Sequence, residues 1–428
     1  MTIAEVVTRC PECGNERLAR SERQPPWCPA CEWNLGDWAP PARVKRRRRQ
    51  RTILRARQEA FAINAALLAE LQGRIPDRPV TTRTRAVLTA ISIAVGAFDL
   101  ALLAAGVFAI VAGNWPARIF GLLAVVIALE CRPRLPRIDE GFGQLGRADA
   151  PALYQVLDEA ADALGAPRVD VLVLNDEYNA FCGRSGLRRR VVLGLGLPLW
   201  GALSPAGRQA LLGHELGHLV NGDPGRNLLT QPALLTFARL ADVFDPAKAT
   251  GRGFNPARDL AVQLLAYPLI GPVHLLCRWL DERVARIAAR DHQRAEVYAD
   301  ALAVRLGGQD GAEELMRALV FQRAVWFAVR AAAGEGSADP AEWQRAAAAA
   351  VGDRPAAEER LREQESLRYD VARQGTHPPS GLRLRLVRAW PDPATPVPVP
   401  VEAMASADAQ LSRRYESVRR ALLNQTFD

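Results

Sequence analysis

Lysine is nearly absent from this chain. Only Lys45 and Lys248 occur, so the 55 basic residues are almost all arginine, and a run of arginines singles out a nucleic-acid surface less sharply than usual. Histidine is scarce as well, with five copies in 428 residues, so an ordered set of histidines is hard to obtain by chance. The first twenty residues have no apolar core and carry two cysteines, which excludes a cleavable secretory signal and puts the N-terminus in the cytosol. No internal repeat is evident. What is present is 49% apolar and 24% charged, with Gly 32 and Pro 30. That balance excludes a disordered, collagen-like or small disulfide-stapled chain and leaves room for two or three domains. The formal charge of +8 is local: nine basic residues fall between Arg43 and Arg57, and the remainder is close to neutral.

Four of the seven cysteines stand together as Cys10-Pro-Glu-Cys13 and Cys28-Pro-Ala-Cys31. Each C-x-x-C loop aims two thiolates at one ion, and two loops complete a tetrahedral shell of four sulfurs. Residues 8–40 therefore read as a zinc ribbon, with a rubredoxin-like iron site as the lesser alternative. So short a module has little core, and the metal would supply much of its folding free energy. Four protein ligands leave no open position, so this metal would be structural.

Residues 43–80 form a basic arm and a helix. Ala86–Gly113 then contains one ionisable residue, Asp99, and exceeds the about 20 residues that cross a hydrocarbon core. After Asn114-Trp115-Pro116 the chain is apolar again from Ile119 to Leu129, a short span with Arg118 and Arg132 at its ends. Residues 86–131 read as a transmembrane helical hairpin, the alternative being a buried helix pair. Arginine is concentrated before and after it, with Arg118 alone in the turn, so both ends lie in the cytoplasm. Asp99 would face the partner helix.

Residues 150–390 carry the chemistry. Val169–Leu174 and Val191–Leu193 are strand-like, with Asn179, Ala180 and Phe181 between them. Ser204-Pro205 is a helix start, with Ser as N-cap and Pro at the first helical position. That helix then carries His214-Glu215-Leu216-Gly217-His218. Positions i and i+4 share a face, so both imidazoles reach one zinc and Glu215 leans toward its open position. Zinc would lower the pKa of its water, and Glu215 would accept the proton and pass it to the leaving amine. Gly213 and Gly217 cost helix stability and make sense if another backbone packs closely there. A metzincin third histidine is excluded, because Pro224 occupies its position. A second helix, from about Asp281 to Leu306, offers Glu296 and Asp300 at i and i+4. Glu296 would be the third ligand and Asp300 would orient a ligand from behind.

His214-Glu-Leu-Gly-His218-Leu-Val-Asn-Gly-Asp223, Arg294-Ala-Glu296-Val-Tyr-Ala-Asp300 and Thr376-His377-Pro378-Pro379 together resemble the HtpX-type and CAAX-prenyl-type membrane metallopeptidases. Asn179-Ala180-Phe181 is similar to the substrate-binding edge strand of that family. The resemblance spans roughly 80–390 and implies a gluzincin-type zinc endopeptidase with His214, His218 and Glu296 as ligands and Glu215 as base. It also implies that His377 approaches the site and stabilises the tetrahedral oxyanion. His274 and His292 match nothing in the pattern and receive no role. Cys182 stands where the family has a small residue, and the ribbon lies outside the family core.

The fold expected is mainly α with a small β-sheet (α+β): a zincin-type domain, an N-terminal ribbon and the hairpin. Leu228–Phe244 and Leu260–Leu280 are two further apolar stretches. The family resemblance allows a second membrane hairpin here, zero or two spans keeping Glu296 on the side of His214. Because the stretches hold Arg239, Asp242, Pro268, Pro272 and His274 and their connection is basic, the expectation is that they pack on the catalytic domain or the membrane surface. Residues 391–428 form a Pro-rich linker and a last helix around Ala403–Leu423. The expected protein is a multi-pass cell-membrane peptidase with one catalytic and one structural zinc, its active site cytoplasmic, acting on unfolded or membrane-associated polypeptides. Membrane lipid is its other partner. Nucleic acid is not, since the ribbon offers few aromatics beyond Trp27, Trp33 and Trp38. A non-catalytic ribbon scaffold or receptor at the membrane is the competing reading.

Overall fold

A computed structural model describes residues 9–21, 24–40, 47–76, 83–132, 143–222, 235–246, 267–352, 354–370, 377–391 and 401–425. Most of the basic run before Arg47, the Pro393–Pro400 linker, Asp223, Thr376 and parts of both further apolar stretches lie outside these residues.

The chain begins with β1 (Ala19–Ser21) and β2 (Gln24–Trp27), then α1 (Arg47–Leu71), α2 (Arg83–Ala112) and α3 (Trp115–Cys131). Next come β3 (Gln144–Leu145), α4 (Pro151–Leu164), β4 (Val171–Asn175), β5 (Ala180–Ser185), β6 (Arg190–Gly196), α5 (Leu197–Ala202) and α6 (Pro205–Val220). A short helix over 235–243 precedes α7 (Tyr267–Val320), which bends at Gly308. The remainder is α8 (Gln322–Gly334), α9 (Pro340–Val351), α10 (Ala356–Tyr369), α11 (Ser380–Ala389), α12 (Val401–Gln410) and α13 (Ser412–Asn424). The protein is mainly helical with a small sheet, as composition and pattern require.

The four-stranded sheet has the order β3-β4-β6-β5, with β4 and β6 parallel and the outer pairings antiparallel. The apolar runs of β4 and β6 are buried, as expected for inner strands. β5 is an edge strand, paired to β6 with Ala180 opposite Leu195 and Phe181 opposite Gly194. Gly194 and Gly196 are needed here for space. A Cβ at Gly194 would fall 2.1 Å from the Phe181 ring, and one at Gly196 would fall 1.8 Å from the Glu177 carbonyl oxygen.

Ser204 caps α6 as its side chain accepts from the Gly207 N–H at 3.1 Å. α6 lies against α7 along a stripe of small residues. A Cβ on Gly213 would be 2.5 Å from the Leu302 carbonyl oxygen, and one on Gly217 would be 2.9 Å from Ala299 Cα. The same holds farther along, where Gly307 and Gly311 press on Ala206 and Ala210. This backbone-to-backbone approach brings the two site-bearing faces together.

Two expected boundaries move. The Glu296 helix starts at Tyr267 rather than near Asp281, with Pro272 inside its second turn. The last helix is two, α12 and α13, broken at Leu411.

α2 and α3 form a hairpin. The Asn114 side chain accepts from the Ala117 N–H, and Gly106 and Gly121 meet so closely that a Cβ on either would strike the other's carbonyl oxygen at 2.8 and 2.6 Å. Outside this seam, Ile93, Phe98, Phe108, Val111, Ile119 and Phe120 are exposed. Among the described residues one helix, Arg83–Ala112, is long and apolar enough to cross a membrane, whereas α3 has 17 residues. Leu88 and Ile91 of α2 pack on Val284 and Ile287 of α7, tying the hairpin to the site helix. Arg239, in the 235–243 helix, donates to the carbonyls of Glu130 and Arg132 at the end of α3, and His274 meets the Ala241 carbonyl at 2.7 Å. His274 is thus a packing residue far from the chemistry.

Candidate metal centre and active site

Glu296 is fully buried on α7, and histidines surround it. His214 Nε2 is 3.7 Å from its Oε2 and His218 Nε2 is 3.5 Å from its Oε1. His377, just before α11, places Nδ1 2.5 Å from Oε2. His214, Glu296 and His377 converge closely enough to share a metal ion, and His218 approaches the same carboxylate through its other oxygen. Glu296 Oε1 is buried with no hydrogen-bond partner. A buried carboxylate oxygen left bare beside imidazole nitrogens is costly unless a cation sits there, so these residues fit a nitrogen- and oxygen-liganded ion. Burial opposes ionisation of Glu296, but the His377 hydrogen bond and the neighbouring imidazoles hold its pKa well below the usual carboxylate range.

His214 is aimed from behind. Asp300, one turn beyond Glu296, lies with Oδ1 3.0 Å from His214 Nδ1, which leaves Nε2 facing Glu296. Arg383 of α11 grips Asp300 with both arms, Nε to Oδ2 at 2.8 Å and Nη2 to Oδ1 at 2.5 Å. Burial works against the Asp300 charge, but the guanidinium keeps its pKa low. Burial, and then the charge of Arg383, push the His214 pKa down, so its imidazole stays neutral and able to ligate.

Glu215 is 6% exposed, and its field reaches both Arg383 and Cys182. Cys182 lies in β5, where burial first and Glu215 second push its thiol pKa up, so it is a packing side chain and a poor nucleophile. β5 touches α6, which puts Asn179, Ala180 and Phe181 beside the histidine helix. The Asn179 carbonyl accepts from Gly196, and Phe181 is 42% exposed over Gly194. Two residues of the site have no role in the sequence reading. His292, one turn before Glu296, brings Nε2 to 3.6 Å from Oε1, and Arg383 supports both Asp300 and His214. The i, i+4 spacing to Glu296 is the one signal that could have found His292, whereas nothing in Arg383-Leu-Arg385 says which arginine is buried.

The four thiols of the N-terminal module also converge. Sγ–Sγ distances are 3.5 Å for Cys10–Cys31 and 3.5 Å for Cys13–Cys28, and all four can share one ion. Each knuckle is closed by a backbone bond, Gly14 N–H to Cys10 and Glu32 N–H to Cys28. Within this coupled cluster, N–H groups of Cys31 and Ala30 lower the Cys28 thiol despite burial, while the neighbouring thiols raise Cys31 and Cys13.

A buried carboxylate on one helix facing histidines of an HExxH segment on another could hold a metal ion, an arrangement that suits a metallopeptidase. The family model for peptidase family M48 matches residues 147–391, more than half of the chain, and the protein belongs to that family. This agrees with the resemblance to the HtpX-type enzymes. No curated protein and no solved structure matches the chain.

Proposed function

We propose that the protein is a membrane-anchored zinc endopeptidase in which His214, His218 and Glu296 hold the catalytic ion and Glu215 is the general base. The supporting observation is the buried, unpartnered Oε1 of Glu296 between imidazole nitrogens. Zinc bound there supplies Lewis-acid polarisation and lowers the pKa of a water to about 7. The Glu215 carboxylate takes the proton of the attacking water and delivers it to the departing amine nitrogen. Asp300, fixed by Arg383, holds His214 in the tautomer that leaves Nε2 free. His377 stands 51% exposed at the cleft, where its ring can donate to the carbonyl oxygen as negative charge develops.

The substrate lies along β5. An edge strand binds a peptide through main-chain hydrogen bonds with little demand on side chains, so cleavage is broad and favours unfolded or membrane-associated chains. The hairpin α2–α3 anchors the enzyme, its apolar outer face in lipid and its arginine-rich flanks in the cytoplasm. The ribbon carries a second, structural zinc. Glu215→Gln is expected to keep the ion and abolish chelator-sensitive cleavage of an unfolded protein such as casein. Retained turnover in that variant removes the mechanism. If the chain is instead a ribbon scaffold, it holds one zinc that survives His214→Ala; the peptidase holds two and loses one.

A further inference from the structure

We propose that Arg184 is a specificity-determining residue: with the arginine-rich tip of the β5–β6 hairpin, it selects peptides that carry an acidic side chain beside the cleft. The proposal rests on β5 being the strand along which substrate lies, and it adds a charge preference to that main-chain pairing.

Strand register places the side chain. Ala180, Cys182 and Arg184 pair with Leu195, Leu193 and Val191 of β6, and these three partners belong to the main core, as do Leu212 and Leu216 of α6. Val192, opposite Gly183, belongs to a separate cluster on the other face. Side chains alternate along a strand, so Arg184 shares with Cys182 the face that packs on the histidine helix.

The main chain alternates too. Gly196 N–H donates to the Asn179 carbonyl at 2.8 Å, so residues 179, 181 and 183 turn their hydrogen-bonding groups toward β6. Those of Ala180, Cys182 and Arg184 turn to the outer edge of β5, which ends the sheet. A peptide pairing there puts the residue opposite Arg184 on the same face, with Cβ atoms about 4.5–5.5 Å apart.

Charge defines the ligand. The hairpin carries Arg184, Arg188, Arg189 and Arg190, and no Asp or Glu occurs between Glu177 and Glu215. Among the described residues no carboxylate pairs with Arg184, Arg188 or Arg190, whereas Arg147, Arg208, Arg383 and Arg388 each hold one. Arg184 donates to the Arg189 carbonyl at 3.3 Å and keeps its other donors, and a guanidinium fork matches a carboxylate in bidentate fashion. A membrane surface would be met by the hairpin tip, where Leu187 is 89% exposed. Arg184 stands back from that tip, half-buried within the strand, which favours a peptide.

The test uses the full chain in detergent, both as wild type and with Glu215→Gln, which removes turnover. The probes are paired unstructured peptides that differ only in Asp and Glu against Asn and Gln. Cleavage is read as kcat/KM, and binding to the Glu215→Gln protein by fluorescence anisotropy. Both are expected to favour the acidic series roughly two- to fivefold, the range of one partly exposed ion pair, and to lose that preference in high salt. Arg184→Gln is expected to abolish the preference and Arg184→Lys to keep part of it. Arg184→Glu is expected to turn it toward lysine-bearing peptides, while Arg345→Gln on α9 matches wild type. No acidic preference in wild type, or one that persists in Arg184→Glu, overturns the proposal. So does a result in which the Arg184 variants change only binding to vesicles of anionic lipid. If cleavage persists in Glu215→Gln while the Arg184-dependent preference holds, the catalytic reading fails and this one stands, which separates the two failures.

Discussion

At the scale of single residues, the site is a small set of buried charges, each neutralised by a neighbour. Asp300 and Arg383 are the support behind His214, both almost fully buried and joined by two hydrogen bonds. Replacing Asp300 by Asn removes the negative charge that holds the His214 Nδ1 proton and leaves a buried guanidinium unmatched. Metal affinity is expected to fall about 10–100-fold, measured by chelator competition. Arg383→Ala leaves the carboxylate unpaired and is expected to cost about 3–5 kcal/mol in denaturant unfolding. An Arg383→Ala variant as stable as wild type contradicts this assignment. HExxH, Glu296 and Asp300 were legible because helical spacing alone puts them on shared faces. Arg383 was not, because its role depends on how α11 crosses α7. His292 sat at a readable spacing, but no pattern singled it out.

Elements meet here through glycine and alanine. The α6–α7 seam explains why the histidine helix tolerates Gly213 and Gly217, an oddity the sequence displayed without naming the backbone that would fill the gap. Gly213→Leu would drive a side chain into Leu302 and Ala303 of α7. It is expected to cost about 1–3 kcal/mol or more and to weaken metal binding at the same time, since the two ligand faces part together. Unfolding midpoints and metal content check both effects; loss of stability with full metal content counts against the seam as the positioning device. In the hairpin, Gly106→Leu meets the Gly121 carbonyl and is expected to lower the thermal unfolding midpoint in detergent; an unchanged midpoint contradicts the close seam. The apolar runs of α2 and α3 were plain from composition. The start of α7 was misplaced because Leu260–Leu280 was read as an apolar stretch separate from the Glu296 helix, whereas the two are continuous from Tyr267 with Pro272 inside.

In the whole molecule, the ribbon is bolted to the peptidase rather than hanging from it. Arg368 of α10 is fully buried and donates to the carbonyls of Pro25, Asn34 and Asp37, with its guanidinium 4.7 Å from the Trp27 ring. Trp27 Nε1–H donates to Gln364, and Arg385 of α11 bridges Glu32 and Glu363. α11 also carries Arg383 into the centre, so the ribbon braces the support of the site. The four cysteines were readable from spacing, but this docking joins residues more than 300 positions apart and leaves no local trace. Cys10→Ser with Cys13→Ser is expected to raise amide hydrogen exchange in α10 and α11 as well as in residues 9–40; a change confined to the ribbon contradicts the brace. The central claim is one ion gripped from two helices, and the most direct measurement is an anomalous difference map at the zinc edge from crystals of the purified protein. The expected map has two peaks per chain, one among the four cysteines and one within about 2.0–2.2 Å of His214 Nε2, His218 Nε2 and a Glu296 oxygen. A map with only the cysteine peak, or with a second peak out of reach of Glu296, contradicts it.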